Sequence, residues 1–380
     1  MTKSILLVSF YSPSRGHAGG LRLLDLYREL RKIQPDLKLV LVTFEPQAEE
    51  RDPELLHGIF DEVHYVSADD FGRNFTSDID FSIKDFDFID LQYHQSGALI
   101  GACRKKWPKA VVAFSPMESM VRALKNALRK RELGAFRFRQ VAVGLFHCLQ
   151  EVAYARAADR VITVSPPDRD VIKVFKSESD VFCIPTALSD LEFSAAAPRN
   201  RVENSNVIVF FAFFGSKTNR ESLTWYCKNV HPRLREGVPD YTLRVVGRGL
   251  DPELLRRCAG DGIEFRGEVE LIEDGLSGAS IGIAPALGGA GIRGKIHQYS
   301  ILGIPSVVSP LACEGLEYKD GESLMVAEDA LDFVRICTEL LRDTSLRNSI
   351  GRCAREVCLE KYTWASMRLP IRTAYGVGIS

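Results

Sequence analysis

The stretch Ile281–Leu316, IGIAPALGGAGIRGKIHQYSILGIPSVVSPLACEGL, decides how this chain is read. Ile281 to Ala284 is a short apolar run of the kind that forms a parallel strand buried on both faces. Gly288, Gly289 and Gly291 break the pattern, Arg293 and Lys295 follow, a helical stretch begins near Gly294, and Pro305 to Ser309 reads as the next buried strand. A glycine-rich turn between strand and helix exposes backbone N–H groups at the helix N-terminus, where the helix dipole also favours negative charge. Two cations in that turn are what a diphosphate needs. The local alternative is an ordinary strand–turn–helix unit with a solvated Arg and Lys, because such turns are common.

Outward from this stretch, strand-like and helical runs alternate along most of the chain, which predicts parallel sheets covered on both faces. Ser4–Phe10 reads as the first strand, the loop YSPSRGHAGG follows, and Leu23, Leu26 and Leu30 fall at helical spacing. Further strands are predicted at Leu37–Val42, Val63–Val66, Phe88–Leu91, Val111–Phe114, Val161–Val164 and Val181–Ile184. Pro166 and Pro167 suit a helix start, since the first N–H groups of a helix need no partner. The period lapses over Pro185–Asn206, a linker in composition, and a second α/β series begins at Val207. Predicted helices close the chain at Leu331–Leu341, Ser345–Lys361 and Thr363–Tyr375. The expected domains are 1–188, with 363–380 packing back on it, and 189–362. Ligands in such sheets bind beyond the carboxyl ends of the strands, so a cleft between the two domains is expected.

The bulk numbers narrow the function. A chain of 380 residues has room for two domains, and a net charge of −1 argues against a general nucleic-acid binder, so any basic site must be local. Nine cysteines without a CxxC pair fit reduced, mostly buried thiols in a cytosolic protein. The apolar run in MTKSILLVSFYSP is too short for a signal-peptide core, and Val141–Leu149 is too short to span a bilayer. No metal site is evident. Asp78 and Asp80 form a DID triplet, but within a polar stretch that reads as a surface loop.

Several stretches, in order, resemble the retaining GT-B glycosyltransferases of family 4: GHAGGLRLL, ADRVITVS, FFAFFGSKTNRESLTWY, LRVVGRG, the G-AGIRGK turn and ILGIPSVVSPLACEGL. The resemblance implies two Rossmann-like doubly wound domains facing across a cleft, with a C-terminal helix crossing back to the first domain. It implies a nucleotide-diphosphate sugar held by the second domain and an acceptor site supplied mostly by the first. Gly215, Ser216 and Asn219 would lie at the first donor-domain loop, Gly247 and Arg248 beside the nucleobase or phosphates, and Gly291 and Glu314 in the same donor set. Arg293 and Lys295 would neutralise the diphosphate leaving group, which electrostatics also favours. Gly19 and Gly20, with His17 and His94, would form the acceptor and phosphate side. Many family members carry two glutamates in the Ala290–Gln298 region, the second on the ribose hydroxyls; Gln298 stands in its place here. Gln298 can still hydrogen-bond a hydroxyl, though more weakly without charge; otherwise it is a solvated helix residue.

Retaining members of this fold show no convincing protein nucleophile, so the expected chemistry is positioning and charge stabilisation, with no metal or other cofactor. Glu118, after the strand Val111–Phe114, is either a sugar or acceptor contact or a carboxylate answering a helix dipole. The segment Val121–Gln140 sets Arg122, Lys125, Arg129, Lys130, Arg131, Arg137 and Arg139 against one acid, Glu132, with apolar residues between. It reads either as a dock for an anionic membrane surface or lipid-diphosphate-linked acceptor, or as a solvated basic helix. The expected activity is transfer of a sugar to a glycan or lipid-linked acceptor in surface polysaccharide synthesis, in the cytoplasm or peripherally on the inner membrane face. Two alternatives stay open: a nucleotide-sugar 2-epimerase of the same fold, and a non-catalytic nucleotide-sugar binding protein.

Overall fold

The computed structural model describes residues 3–15, 18–44, 53–67, 79–129, 136–188, 205–289 and 292–378, leaving aside the side chains of 44, 129 and 136–140. The chain forms two α/β units, Met1–Thr186 with Met367–Ser380, and Ala187–Ser366.

The first unit is built on a seven-stranded sheet, every pair parallel, in the order β3-β2-β1-β4-β5-β6-β7. Its strands are β1 (Ser4–Ser9), β2 (Lys38–Phe44), β3 (Glu62–Val66), β4 (Phe88–Gln92), β5 (Val111–Ser115), β6 (Arg160–Thr163) and β7 (Val181–Cys183). β1 and β4 are buried at every residue, as a parallel sheet with two covered faces requires. One of those buried residues is an acid. Asp90 in β4 accepts hydrogen bonds from Tyr27 Oη (2.9 Å), Tyr375 Oη (2.6 Å), Ser115 Oγ (2.6 Å) and Gln92 Nε2 (2.8 Å). Tyr27 lies on the helix Ala18–Ile33 and Tyr375 on Arg368–Tyr375, so one carboxylate ties the C-terminal helix to the sheet. Burial raises both phenol pKa values further, so the tyrosines stay donors. Lys3 adds a bond to the Tyr375 carbonyl at 3.1 Å. The helix predicted from Thr363 starts later: Thr363 bridges Leu188, and the helix begins at Arg368.

The second unit holds a six-stranded, all-parallel sheet in the order β10-β9-β8-β11-β12-β13. The strands are β8 (Val207–Phe211), β9 (Thr242–Val246), β10 (Ile263–Gly267), β11 (Ile281–Ala284), β12 (Ser306–Val308) and β13 (Met325–Val326). Its largest apolar cluster runs from Ile208 and Phe210 through Leu223, Tyr226, Leu243 and Ile283 to Phe333 and Leu340. On the sheet's other face Tyr299, from the helix Gly294–Ile301, lies wholly buried over Gly282. A Cβ at Gly282 would stand 2.4 Å from the Tyr299 ring, so only glycine lets helix and strand approach this closely. The Tyr299 hydroxyl accepts the Phe211 N–H at 2.9 Å and lies 3.3 Å from the Ile283 carbonyl oxygen. One side chain thus spans β8, β11 and the helix that follows β11. The sequence pattern does not reveal β13, and β8 is followed by two helices, Lys217–Asn229 and His231–Gly237.

Asp90→Ala should lower the first unit's stability by about 3–5 kcal/mol in denaturant unfolding, because four buried donors lose an acceptor at once. Tyr375→Phe, which removes one of the four, should cost about 1–2 kcal/mol. Gly282→Ala should destabilise the second unit by about 1–3 kcal/mol through overpacking against Tyr299, with the first unit's transition unmoved.

Candidate functional site

In each sheet the strand order reverses once, between β1 and β4 and between β8 and β11, and the crevice outside strand carboxyl ends at such a point is where open α/β sheets take ligands. At the β8/β11 point of the second unit lie residues 212–216 after β8 and, after β11, the described residues 285–289 and 292–293. The first is shaped by glycine. Gly247, at the end of β9, has φ +133°, and a Cβ there would fall 1.8 Å from the Ala212 carbonyl oxygen. Gly249 at φ +83° packs against the Gly215 backbone, and Gly215 in turn leaves room for the Phe213 ring. Phe213 is half exposed, and the Arg248 guanidinium lies over its face at 4.8 Å. Ser216 is the N-cap residue of Lys217–Asn229 but makes no capping bond through its side chain. Asn219, on that helix's first turn, donates Nδ2 to the Phe213 carbonyl at 2.8 Å.

The second loop delivers the cations. Gly289 takes φ +91°, and Arg293 folds over it to donate to the Gly288 carbonyl at 2.5 Å. Arg293 is also the N-cap position of Gly294–Ile301, with no capping bond through its side chain. Lys295, in the first turn, donates to Asn219 Oδ1 at 3.3 Å and stands 4.9 Å from the centre of the Phe210 ring. Asn219 therefore joins the two loops, taking Lys295 on its oxygen and holding Phe213 with its nitrogen. Burial, with the Arg293 charge beside it, lowers the Lys295 pKa to about 7. A lysine with a lowered pKa beside an arginine at a helix N-terminus is an arrangement that can take an anion, since an arriving anion would favour the charged lysine.

Of the other donor-side residues, Gln298 is partly exposed on the same helix and Glu314 is exposed at the end of Pro310–Cys313. Gly291 lies outside the described residues, as does His17 in the first unit. His297 is almost wholly buried, stacked 4.0 Å from Tyr362 and hydrogen-bonded to Tyr318 Oη at 3.0 Å; burial lowers its pKa to about 3. It is a neutral packing residue.

In the first unit Glu118 stands in the turn after β5, partly exposed. Gly19 makes room for Tyr93, whose hydroxyl would lie 2.5 Å from a Cβ at that position, and Gly20 is buried. Tyr93 takes φ +71°, the left-handed region that side chains seldom adopt, and no sequence pattern singles it out. His94 lies 3.4 Å from Gln150 Oε1, the oxygen that also pairs with His147 Nδ1 at 3.1 Å. Burial lowers the His94 pKa.

The basic segment behaves differently from its reading as one exposed surface. Arg122 is buried, paired with Asp168 at 2.8 Å, and it cannot dock a membrane. The helix Met120–Arg129 turns that position inward, toward the helix Pro166–Ile172, where the Ser165 hydroxyl caps the first turn by accepting the Asp168 N–H. Glu151, fully buried, accepts from Ser119 Oγ, Met120 N and Val121 N at 3.0, 3.1 and 3.2 Å and so caps the same helix from the neighbouring Phe136–Ala157. Lys125 is exposed; the Arg129 side chain and residues Lys130 and Arg131 lie outside the description. Asp78 lies outside it too, and Asp80 pairs with Lys84 at 2.8 Å. Among the described residues no group of three or more His, Cys, Asp and Glu side chains could hold a metal ion.

Residues 205–343 match the family model described as glycosyl transferases group 1. The fold as a whole is similar to HepE of Anabaena, solved in complex with UDP and glucose, at a TM-score of 0.69 and 13% identity, covering 97% of this chain and 98% of that one. It is similar to the sucrose-phosphate synthase of Thermosynechococcus elongatus at a TM-score of 0.68 and 14% identity, covering 98% of each chain. A putative UDP-N-acetylglucosamine 2-epimerase from Listeria monocytogenes aligns at a TM-score of 0.58 and 10% identity, over 98% of this chain and 97% of that one. No curated protein matches the sequence. The chain has the GT-B fold, two Rossmann-like units, and its second unit carries the match to group 1 glycosyl transferases.

Proposed function

We propose that the chain is a retaining glycosyltransferase that takes a sugar from a nucleoside-diphosphate donor, bound at the β8/β11 crevice of its second unit, and passes it to a hydroxyl of a glycan or lipid-linked acceptor. The observation that carries this is the cation pair: Arg293 and Lys295 stand at one helix N-terminus, on loops whose glycines leave backbone close to the space a pyrophosphate would fill. As the glycosidic bond breaks, charge builds on the leaving diphosphate. Arg293, Lys295 and the first N–H groups of Gly294–Ile301 would stabilise that charge. The acceptor hydroxyl would attack the face the leaving group departs from and give its proton to a diphosphate oxygen, so the protein supplies position and charge rather than a nucleophile. Arg248, stacked on Phe213, stands at the neighbouring loop and suits a nucleobase or phosphate contact. Glu118 stands at the end of β5 in the first unit, where an acceptor contact would belong. The UDP complexes of HepE support a uridine donor, and the match over 205–343 favours a transferase over an epimerase.

UDP and UDP-sugars should raise the melting temperature, and Lys295→Met should weaken UDP binding about 10- to 100-fold in calorimetry, as expected for one charge-assisted hydrogen bond. Unchanged melting with every nucleoside diphosphate and nucleotide sugar would overturn the assignment. Diphosphate binding should also take up protons. In the free protein Lys295 loses its charge as pH rises through about 7, whereas a bound anion draws its pKa back toward the ordinary 10.5. Affinity for UDP should therefore fall as pH rises from about 7, and calorimetry at pH ~8 in buffers of different ionisation heats should show uptake that Lys295→Met abolishes.

A further inference from the structure

The turn after β4 holds two unfavourable features in one residue, Tyr93. The first is in the backbone. Tyr93 takes φ +71° and ψ +155°, a region almost reserved for glycine, and among the described residues no other non-glycine residue has positive φ. Hydrogen bonds keep it there: the Tyr93 N–H donates to the Ser115 carbonyl at 3.0 Å, and the Tyr93 carbonyl accepts the Ser96 N–H at 3.2 Å. The second is in the side chain. Tyr93 is 9% exposed, and its hydroxyl is buried without a hydrogen-bond partner. Burial and the neighbouring Tyr11 raise its pKa, so the phenol keeps its proton and remains a donor.

Both features fall at the β1/β4 point, where the first sheet's strand order reverses. The Tyr93 hydroxyl rests against Gly19, in the first turn of Ala18–Ile33, where a Cβ would stand 2.5 Å from it. Tyr11, two residues past β1, meets the Tyr93 ring edge to face at 5.0 Å and Phe10 likewise at 5.0 Å, yet stays 48% exposed. Ser9 Oγ fixes that turn by donating to the Tyr11 carbonyl at 2.6 Å. Backbone strain and an unmet polar group at a ligand crevice are what a residue shaped for a substrate contact shows.

We propose that Tyr11 and Tyr93 read a neutral sugar ring of the acceptor: the ring lies on Tyr11, and the Tyr93 hydroxyl donates to one of its hydroxyl oxygens. This rests on the proposed function and narrows its acceptor to one whose receiving group is a sugar. An aromatic side chain and a phenol hydroxyl suit the C–H face and the hydroxyls of a sugar. A phosphate calls for a cation. The cation whose charge acts on Tyr93 is Arg22, which is buried and donates to the Ile184 and Pro185 carbonyls at 2.7 and 3.4 Å.

The test is saturation-transfer NMR on the full chain with UDP present. Methyl α-glucoside, methyl β-galactoside and methyl α-mannoside are the sugar probes, and sn-glycerol 3-phosphate is the phosphate probe. At least one glycoside is expected to bind. Tyr93→Phe should weaken it roughly three- to tenfold, as for one neutral hydrogen bond, and Tyr11→Ala by about as much. The melting temperature of Tyr93→Phe should equal or exceed that of the wild type, because the hydroxyl it removes has no partner in the protein. If no glycoside binds, if only glycerol phosphate does, or if Tyr93→Phe binds the glycoside as the wild type does, the proposal is overturned. A lowered melting temperature for Tyr93→Phe overturns it too, since the hydroxyl would then be structural. The UDP-induced melting shift, read on the same samples, should be the same in both variants. Its absence from the wild type would mark failure of the donor assignment instead.

Discussion

The approach of Tyr299 to Gly282 is the constraint on which the second unit's site depends. A bare Cα in β11 lets a tyrosine from the following helix reach across two strands, and its hydroxyl takes up the Phe211 N–H at the end of β8. Helix Gly294–Ile301 is thereby held close to the sheet at the point where strand order reverses. Arg293 and Lys295 inherit their positions from that contact, because both stand at the end of this helix nearest the strand tips. A bulkier residue at 282 would lift the helix, and the cations with it.

Neutral groups hold Lys295, and a backbone carbonyl is among the partners of Arg293. Arg293 leans on the Gly288 carbonyl, and Lys295 on an amide oxygen and the face of Phe210. The partners of Lys295 orient its ammonium without neutralising it, as the proposed diphosphate site requires. The cost is borne by Lys295, whose pKa falls to about 7 as burial and Arg293 disfavour its charge. In the first unit Arg122 is paired with an opposite charge, Asp168, whereas the carboxylates of Asp90 and Glu151 are held by neutral donors, four and three of them.

That contrast bears on how much was legible beforehand. The glycine turn at 288–294, the flanking strands and the two cations could be read directly, because a strand period, a run of glycines and a helix start are local features. Asn219 came from the resemblance, but its part in joining two loops did not, since its partners are Phe213 and, far along the chain, Lys295. The reading of 121–140 as one basic surface failed at Arg122, since which face of a helix turns inward depends on a partner, Asp168, on another element. The helix Phe136–Ala157 was also missed as a unit. Apolar residues on both its faces blur the helical period that would have announced it.

By itself the sequence determined the alternation of strands and helices and the chemistry available at each turn, because these follow from the period and identity of neighbouring residues. Tertiary structure alone decided which charges are spent and which remain. Lys125 faces water while Arg122, three residues earlier, is sealed in an ion pair. Likewise Glu151 is hidden on the inner face of a helix whose outer stripe is apolar. The physical reason is that burial belongs to the partner as much as to the residue, and partners here lie tens to hundreds of positions away, as with Asp90 and Tyr375.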